Sequence, residues 1–258
     1  FISQVKLYKI LSWRETKKHE KMNNNFSFVS ADAFPFKIFL NEDALRCIKN
    51  KQILPIHVQI NPTNKCNQNC SFCSCGQRDK NIEIPPAILT GIISKLRRLG
   101  TKAITITGGG EPTLYKDLNT VIDFACKKNI KIGLVTNGLE LQNVAGSLNN
   151  ITWCRISLSD QQKISEQLLN RLLNFKNNFS GTDWSFSYVI TKNLDMNNLR
   201  RLIDFTILND YTHLRIVSDL LDLDSVPDME KALSDIGESS GKIIYQKRKN
   251  YTRGTNPC

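Results

Sequence analysis

A chain of 258 residues, 40% hydrophobic and 23% charged, has the composition of an ordinary globular protein and the length for one large α/β domain or two small ones. No apolar run approaches the roughly 20 residues a bilayer-crossing helix needs. The opening segment FISQVKLYKILSWRETKKHEK is interrupted by Lys6, Lys9 and Arg14, so a signal peptide is not expected there. Ten of the eleven net positive charges sit in two flanks, 1–51 and 242–258, so the middle carries no basic stripe. Such flanks suit phosphate contacts of a nucleic-acid enzyme, or simple solubility and docking of an acidic electron donor, and the second reading is the blander one.

Taken in chain order, residues 1–55 read as an N-terminal extension: Lys-rich, then Asn23–Asn25, then an apolar stretch from Phe34 to Leu40, then a short helix in NEDALRCIKN capped by Asn41. The first residue is Phe, so the natural start is expected elsewhere, with Met22 one candidate. From Ile56 the pattern becomes regular. HVQI (57–60) is a strand entering a cysteine-rich loop, and PPAILTGIISKLRRLG (85–100) is a helix with Pro at its start, a stripe of Ile88, Ile92, Leu96 and Leu99, and Gly100 as its stop. KAITIT (102–107) is a β-branched strand running into Gly108–Gly109–Gly110–Glu111–Pro112. DLNTVIDFACKKN (117–129) is helical, KIGLVTNG (131–138) a strand, ELQNVAGSL (140–148) a helix and WCRISLS (153–159) a strand. A helix over about 161–175 puts Ile164, Leu168, Leu172 and Phe175 on one face. WSFSYVIT (184–191) and HLRIVSDL (213–220) are strands separated by a helix over 196–209, and a last helix covers 226–237.

Six strand–helix repeats over 56–240 imply a parallel sheet, because parallel neighbours need a crossover helix. A partial barrel and an open doubly wound sheet both fit this pattern. In either, ligands meet the C-terminal ends of the strands. The chemistry-bearing residues fall there: the cysteine loop, GGGEP, Thr136–Asn137 and the serines of ISLS.

Eight cysteines occur, four of them within ten residues. Without an export signal, clustered thiols point to metal ligation in a reducing, cytoplasmic compartment. In NPTNKCNQNCSFCSCGQRDK, Cys66, Cys70 and Cys73 are spaced C-x3-C-x2-C. Thiolates are soft ligands for iron–sulfur clusters or zinc. Three of them on one loop can bind three irons of a cube and leave the fourth iron without a protein ligand, whereas structural zinc wants four ligands, usually as two separated pairs. Cys75 offers a further thiolate and is read as a non-ligand. Cys47, Cys126 and Cys154 lie in apolar contexts and read as small core residues.

This spacing, followed one βα unit later by GGGEP, resembles the radical S-adenosylmethionine (SAM) superfamily over roughly 56–220. The resemblance implies a partial (β/α)6 TIM-like barrel with an N-terminal extension, a [4Fe-4S] cluster on Cys66, Cys70 and Cys73, and SAM bound to the open iron. It implies that SAM is cleaved reductively to a 5′-deoxyadenosyl radical, which takes hydrogen from a peptide or a small-molecule substrate. Phe72 matches the family's aromatic position beside the adenine, and Gly109, Gly110 and Glu111 match the motif that binds the methionine amino group. Asn137, Ser157 and Ser159 stand at strand ends where the family contacts SAM. Arg155, within the strand of Ser157 and Ser159, is left open between this SAM-side role and facing the core or the helices, Asp160 reads as a helix cap, and His57 and His213, at strand starts, read as structural.

The tail 241–258 reads as one more strand, KIIYQKRK, then YTRGTNPC. Cys258 resembles in placement the first ligand of an auxiliary cluster of the SPASM or twitch type, so a truncated chain and an auxiliary Fe–S cluster are expected. An electron donor such as flavodoxin or ferredoxin is the implied protein partner, and no membrane is. Two other readings stay open: a radical SAM enzyme acting on tRNA or a nucleobase, and a non-catalytic Fe–S or zinc protein that binds a partner.

Overall fold

A computed structural model describes residues 42–52, 54–227, 229, 233 and 241–246. The expected extension through residue 41 with its Asn41 cap, most of the helix expected over 226–237, and Cys258 lie outside them. The chain divides into two units, 1–45 and 46–258, and the second carries the sheet. The first described helix, α1, spans Glu42–Lys49.

Seven parallel strands are hydrogen-bonded in chain order: β1 His57–Ile60, β2 Ala103–Ile106, β3 Lys131–Thr136, β4 Trp153–Ser159, β5 Asp183–Ile190, β6 Leu214–Ser218 and β7 Ile243–Gln246. The crossovers between them are α2 Pro86–Arg98, α3 Leu118–Lys127, a 3-10 helix Leu141–Asn150, α4 Glu166–Asn178 and α5 Met196–Leu208. β1 and β7 are the two edges, so the α/β sheet is the open, partial barrel expected, and KIIYQ does supply its seventh strand. Among the described residues no helix is long and apolar enough to cross a membrane.

One face of the sheet packs on the helices. Ile104 and Ile106, Ile132 and Leu134, Ile156 and Leu158, Phe186 and Tyr188, Leu214 and Ile216 form one core with Leu89, Ile93, Ile122, Leu172 and Leu202. Each fully buried aliphatic or aromatic side chain here contributes about 1.5–3 kcal/mol. Two expectations are corrected. In α2 the buried residues are Leu89 and Ile93, while Ile88, Ile92 and Leu99 are exposed. Two stripes one residue apart differ by only 100° on a helix, and periodicity does not choose between them. The segment 140–148 is a 3-10 rather than an α-helix, spanning Leu141–Asn150 with Leu141, Val144, Ser147 and Leu148 buried.

The alternate residues line the opposite, concave face: Gly133 and Val135, Trp153, Arg155 and Ser157, Ser185 and Ser187, Arg215 and Val217. Arg155 therefore faces neither the core nor the helices. A Cβ on Gly133 would fall 2.2 Å from the Trp153 ring, so glycine there is what lets the indole lie flat on β3. His213 immediately precedes β6 on the same face. It is buried, its Nε2 has no hydrogen-bond partner, and burial, then the charges of Arg155 and Arg215, hold its pKa down at about 4.

This burial has a pH signature. Between about pH 6.5 and about pH 4 the unfolded chain protonates His213 while the folded chain keeps it neutral, so stability is lost as the pH falls through that window. The loss is roughly 1–3 kcal/mol, and His213→Gln removes it. Urea unfolding at pH 7 and pH 4.5 measures the difference; equal pH dependence in wild type and variant contradicts it.

Candidate active site

The cysteine loop leaves β1 and returns to α2 through a closed neck. Thr63 and Glu83 form an antiparallel bridge, Asn64 N donates to Ile82 O (3.0 Å) and Ile84 N to Pro62 O (2.9 Å). Lys65 Nζ meets Glu83 Oε2 at 2.7 Å, which holds the Glu83 carboxyl below its ordinary pKa. Inside the neck the chain coils in successive turns, Cys73 N to Cys70 O, Gly76 N to Cys73 O and Arg78 N to Cys75 O. Cys66, Cys70, Cys73 and Cys75 are all half-exposed free thiols.

GGGEP at the end of β2 is paired to this neck. Gly110 N donates to Thr63 O (2.8 Å) and Glu111 N to Lys65 O (2.7 Å). A Cβ on Gly110 would lie 1.9 Å from Lys65 O, and one on Gly109 would lie 2.2 Å from Asn64 Oδ1. The glycines thus admit the backbone of the cysteine loop itself, a close approach that any side chain would prevent.

Glu111 is 3% exposed and its carboxylate is saturated by protein donors. Oε1 accepts from Thr113 N (3.0 Å), Thr113 Oγ1 (2.7 Å) and Thr136 Oγ1 (2.5 Å), and Oε2 from Asn137 N (2.7 Å). It joins the ends of β2 and β3. Asn137 carries the link onward: its Nδ2 donates to Asn67 Oδ1 (2.7 Å), inside the cysteine loop, and its Oδ1 accepts from Leu139 N. A second tie comes from beyond β4, where Gln161 exchanges two hydrogen bonds with Ser71. The loop is therefore held from the ends of three strands.

Sequence reasoning missed Asn67, Ser71 and Gln161 as its anchors, and read Thr136 only as a strand end rather than as a donor to Glu111. Asn and Gln between the cysteines read only as loop residues, and nothing in the spacing reports their distant partners. Asp160 also differs from expectation: its Oδ2 accepts from Thr191 N (2.6 Å), joining β4 to β5, while Ser165 caps α4. The remaining expected residues stand at this edge. Phe72 is half-buried between two of the cysteines, Ser157 is half-buried, and Ser159 is buried at the tip of β4. Of the isolated cysteines, Cys47 and Cys154 are buried, and burial raises the Cys154 pKa; Cys126 is half-buried.

Cys66, Cys70 and Cys73 put three soft thiol donors on one loop, the ligand type an iron–sulfur cluster takes. Burial, then the neighbouring Cys66 and Cys73 sulfurs, raise the Cys70 pKa. Among the described residues, no group of three His, Cys, Asp or Glu is placed to hold a single metal ion. Ser159 Oγ and Asp160 Oδ1 are buried without partners at the same edge, polar atoms placed for a ligand's hydroxyl or amino groups.

Gly110→Ala pushes Lys65 and Glu111 apart and is expected to cut iron uptake, whereas Gly91→Ala, with nothing near its added Cβ in α2, leaves uptake intact and raises stability by about 0.5–1 kcal/mol. Iron analysis after anaerobic reconstitution, with thermal unfolding, checks both. Equal iron in Gly110→Ala and wild type would show that the pairing does not shape the loop.

Comparison with known proteins agrees with this geometry. The sequence profile of the Radical SAM superfamily matches residues 60–180. A probable GTP 3′,8-cyclase of Methanocaldococcus jannaschii is 38% identical over 107 residues, which is 40% of this chain and 35% of that protein. One from Pyrococcus abyssi is 33% identical over 104 residues, 40% of this chain and 34% of that protein. The matched stretch is thus about a third of the length of these relatives. SuiB of Streptococcus suis, solved with its precursor peptide SuiA, shares the fold at a TM-score of 0.62 and 18% identity, over 94% of this chain and 61% of SuiB. The anSMEcpe structure with bound AdoMet and a peptide shares it at 0.56 and 16% identity, over 74% and 63%. Cysteine spacing, strand-end geometry, profile and fold lead to one conclusion: residues 60–180 of this chain carry a domain of the radical SAM superfamily of enzymes.

Proposed function

We propose that Cys66, Cys70 and Cys73 hold a [4Fe-4S] cluster whose remaining iron would be chelated by the amino and carboxylate groups of SAM, and that the chain uses the pair to abstract hydrogen from a substrate. The observation that carries this reading is the three-thiol loop tied to the ends of β2, β3 and β4. When bound and reduced, the cluster supplies the electron that splits SAM into methionine and a 5′-deoxyadenosyl radical. The protein's own part is placement. Gly109 and Gly110 present strand-end backbone to the methionine amino group. Ser157 and Ser159 face the ribose and carboxylate, the free oxygen of Asp160 suits a ribose hydroxyl, and Phe72 packs on the adenine.

Glu111 and Asn137 spend their polar atoms on the protein, so in this reading they act on SAM through the loop they fix rather than by direct contact. Cys75 stays outside the cluster, beside the Ser74 hydroxyl. A small-molecule substrate is the reading we favour over a peptide or a nucleic acid, because the relatives matched in sequence are named for a nucleotide reaction. The basic flanks suit an acidic flavodoxin or ferredoxin as electron donor in a reducing cytoplasm.

Anaerobic reconstitution followed by dithionite and SAM is expected to yield 5′-deoxyadenosine and methionine. Serine at Cys66, Cys70 or Cys73 abolishes the products, and Cys75→Ser retains them. Absence of 5′-deoxyadenosine from iron-loaded wild type, or loss of it in Cys75→Ser alone, contradicts the assignment.

A further inference from the structure

The concave face below the strand ends carries charge that the SAM site does not use. Two transverse rows cross it. Val135, Arg155 and Ser185 are in register on β3, β4 and β5, and His213, whose carbonyl accepts from Phe186 N, stands beside them. One pleat nearer the strand ends, Ser157, Ser187 and Arg215 are in register on β4, β5 and β6.

Arg155 sits at the centre. Its guanidinium lies 5.2 Å from the centre of the Trp153 ring, which itself rests on Gly133 and is 8% exposed. The aromatic floor thus supports the cation from beneath. Arg155 Nε is buried without a hydrogen-bond partner, and among the described residues no carboxylate pairs with this side chain. Burial, then the like charge of Arg215, lowers its pKa to about 10. A desolvated guanidinium facing a second cation costs free energy unless a counter-charge arrives. Nothing described in the protein supplies one to Arg155. The walls around it are hydroxylic: Ser157 is half-buried, and Ser185 and Ser187 are buried.

We propose that Arg155, with Arg215 and the hydroxyl of Ser187, binds an oxyanion of the substrate, a carboxylate or a phosphate, on the concave face. A guanidinium fork suits either group, since both present two oxygens to paired N–H donors. Arg155 precedes Ser159, the tip of β4, by four residues, or about 13 Å of strand, which sets this site below the edge that would clasp SAM. The proposal rests on the radical SAM reading for what the bound group does, but its binding test needs no turnover. Anchored here, the substrate would point its other end toward the strand tips, where the radical is formed.

The test is isothermal titration of the cluster-loaded, unreduced protein with inorganic pyrophosphate and with succinate, at constant ionic strength in chloride. SAM affinity is measured separately. One of the two probes is expected to bind saturably, and its identity names the oxyanion. Arg155→Gln weakens that binding by about tenfold or more, Arg155→Lys falls between, and Arg200→Gln on α5 leaves it unchanged. SAM affinity stays the same in all three. Should Arg155→Gln fail to fold, Arg155→Lys carries the comparison. The proposal is overturned if neither probe binds more tightly than chloride, if the Arg155 variants bind as wild type does, or if they lose SAM affinity in step. Failure to produce 5′-deoxyadenosine would count against the cofactor reading and leave this binding result standing.

Discussion

Two backbone hydrogen bonds, Gly110 N to Thr63 O and Glu111 N to Lys65 O, decide where the cysteine loop stands. They require β2 to end without side chains at the point of contact, and they deliver the Glu111 carboxylate into the sheet edge, where four donors from three residues surround it. A carboxyl group at 3% exposure is tolerable only with such a donor set. Once it is in place, the ends of β2 and β3 are one rigid piece, and Asn137 reaches from it to Asn67 between two of the cysteines. The loop's geometry is thus inherited from the sheet, which is the most rigid part of an α/β fold, rather than from its own short turns.

That inheritance separates two environments within one half-barrel. At the strand tips stand thiols, glycine backbone and partnerless hydroxyl and carboxylate oxygens, a setting for a cluster and a zwitterionic cofactor. Deeper on the concave face the electrostatics reverse: Arg155 and Arg215 dominate, and their field helps to keep His213 neutral. The sheet's pleat produces both. Alternate residues of β4 either join the hydrophobic core, as Cys154, Ile156 and Leu158 do, or line the concave face, as Trp153, Arg155 and Ser157 do.

Much of this was legible in the sequence because it is carried by local signals. Strand limits at His57–Ile60 and Trp153–Ser159 coincide with those expected, since β-branched and apolar runs bounded by turn residues leave little choice. The cysteine spacing and GGGEP are likewise contiguous in the chain. What escaped were relations between distant segments. Ile88 and Leu89 are equally apolar, and only the docked helix says which is buried. Asp160 precedes a helix and reads as its cap, yet it bonds to Thr191 31 residues away. Gln161 and Ser71, 90 residues apart, carry no mark of their pairing. The glycines of GGGEP match a SAM-binding motif in the sequence, which carries no mark of the cysteine-loop backbone they admit.

The premise on which the rest turns is a cube with one iron open to SAM. Electron paramagnetic resonance of the anaerobically reduced protein, recorded with and without SAM, addresses it most directly. A reduced [4Fe-4S] signal whose g-values shift when SAM is added, equally in wild type and in Cys75→Ser, is the expected result. A cluster signal that ignores SAM, as four thiolate ligands would give, contradicts it.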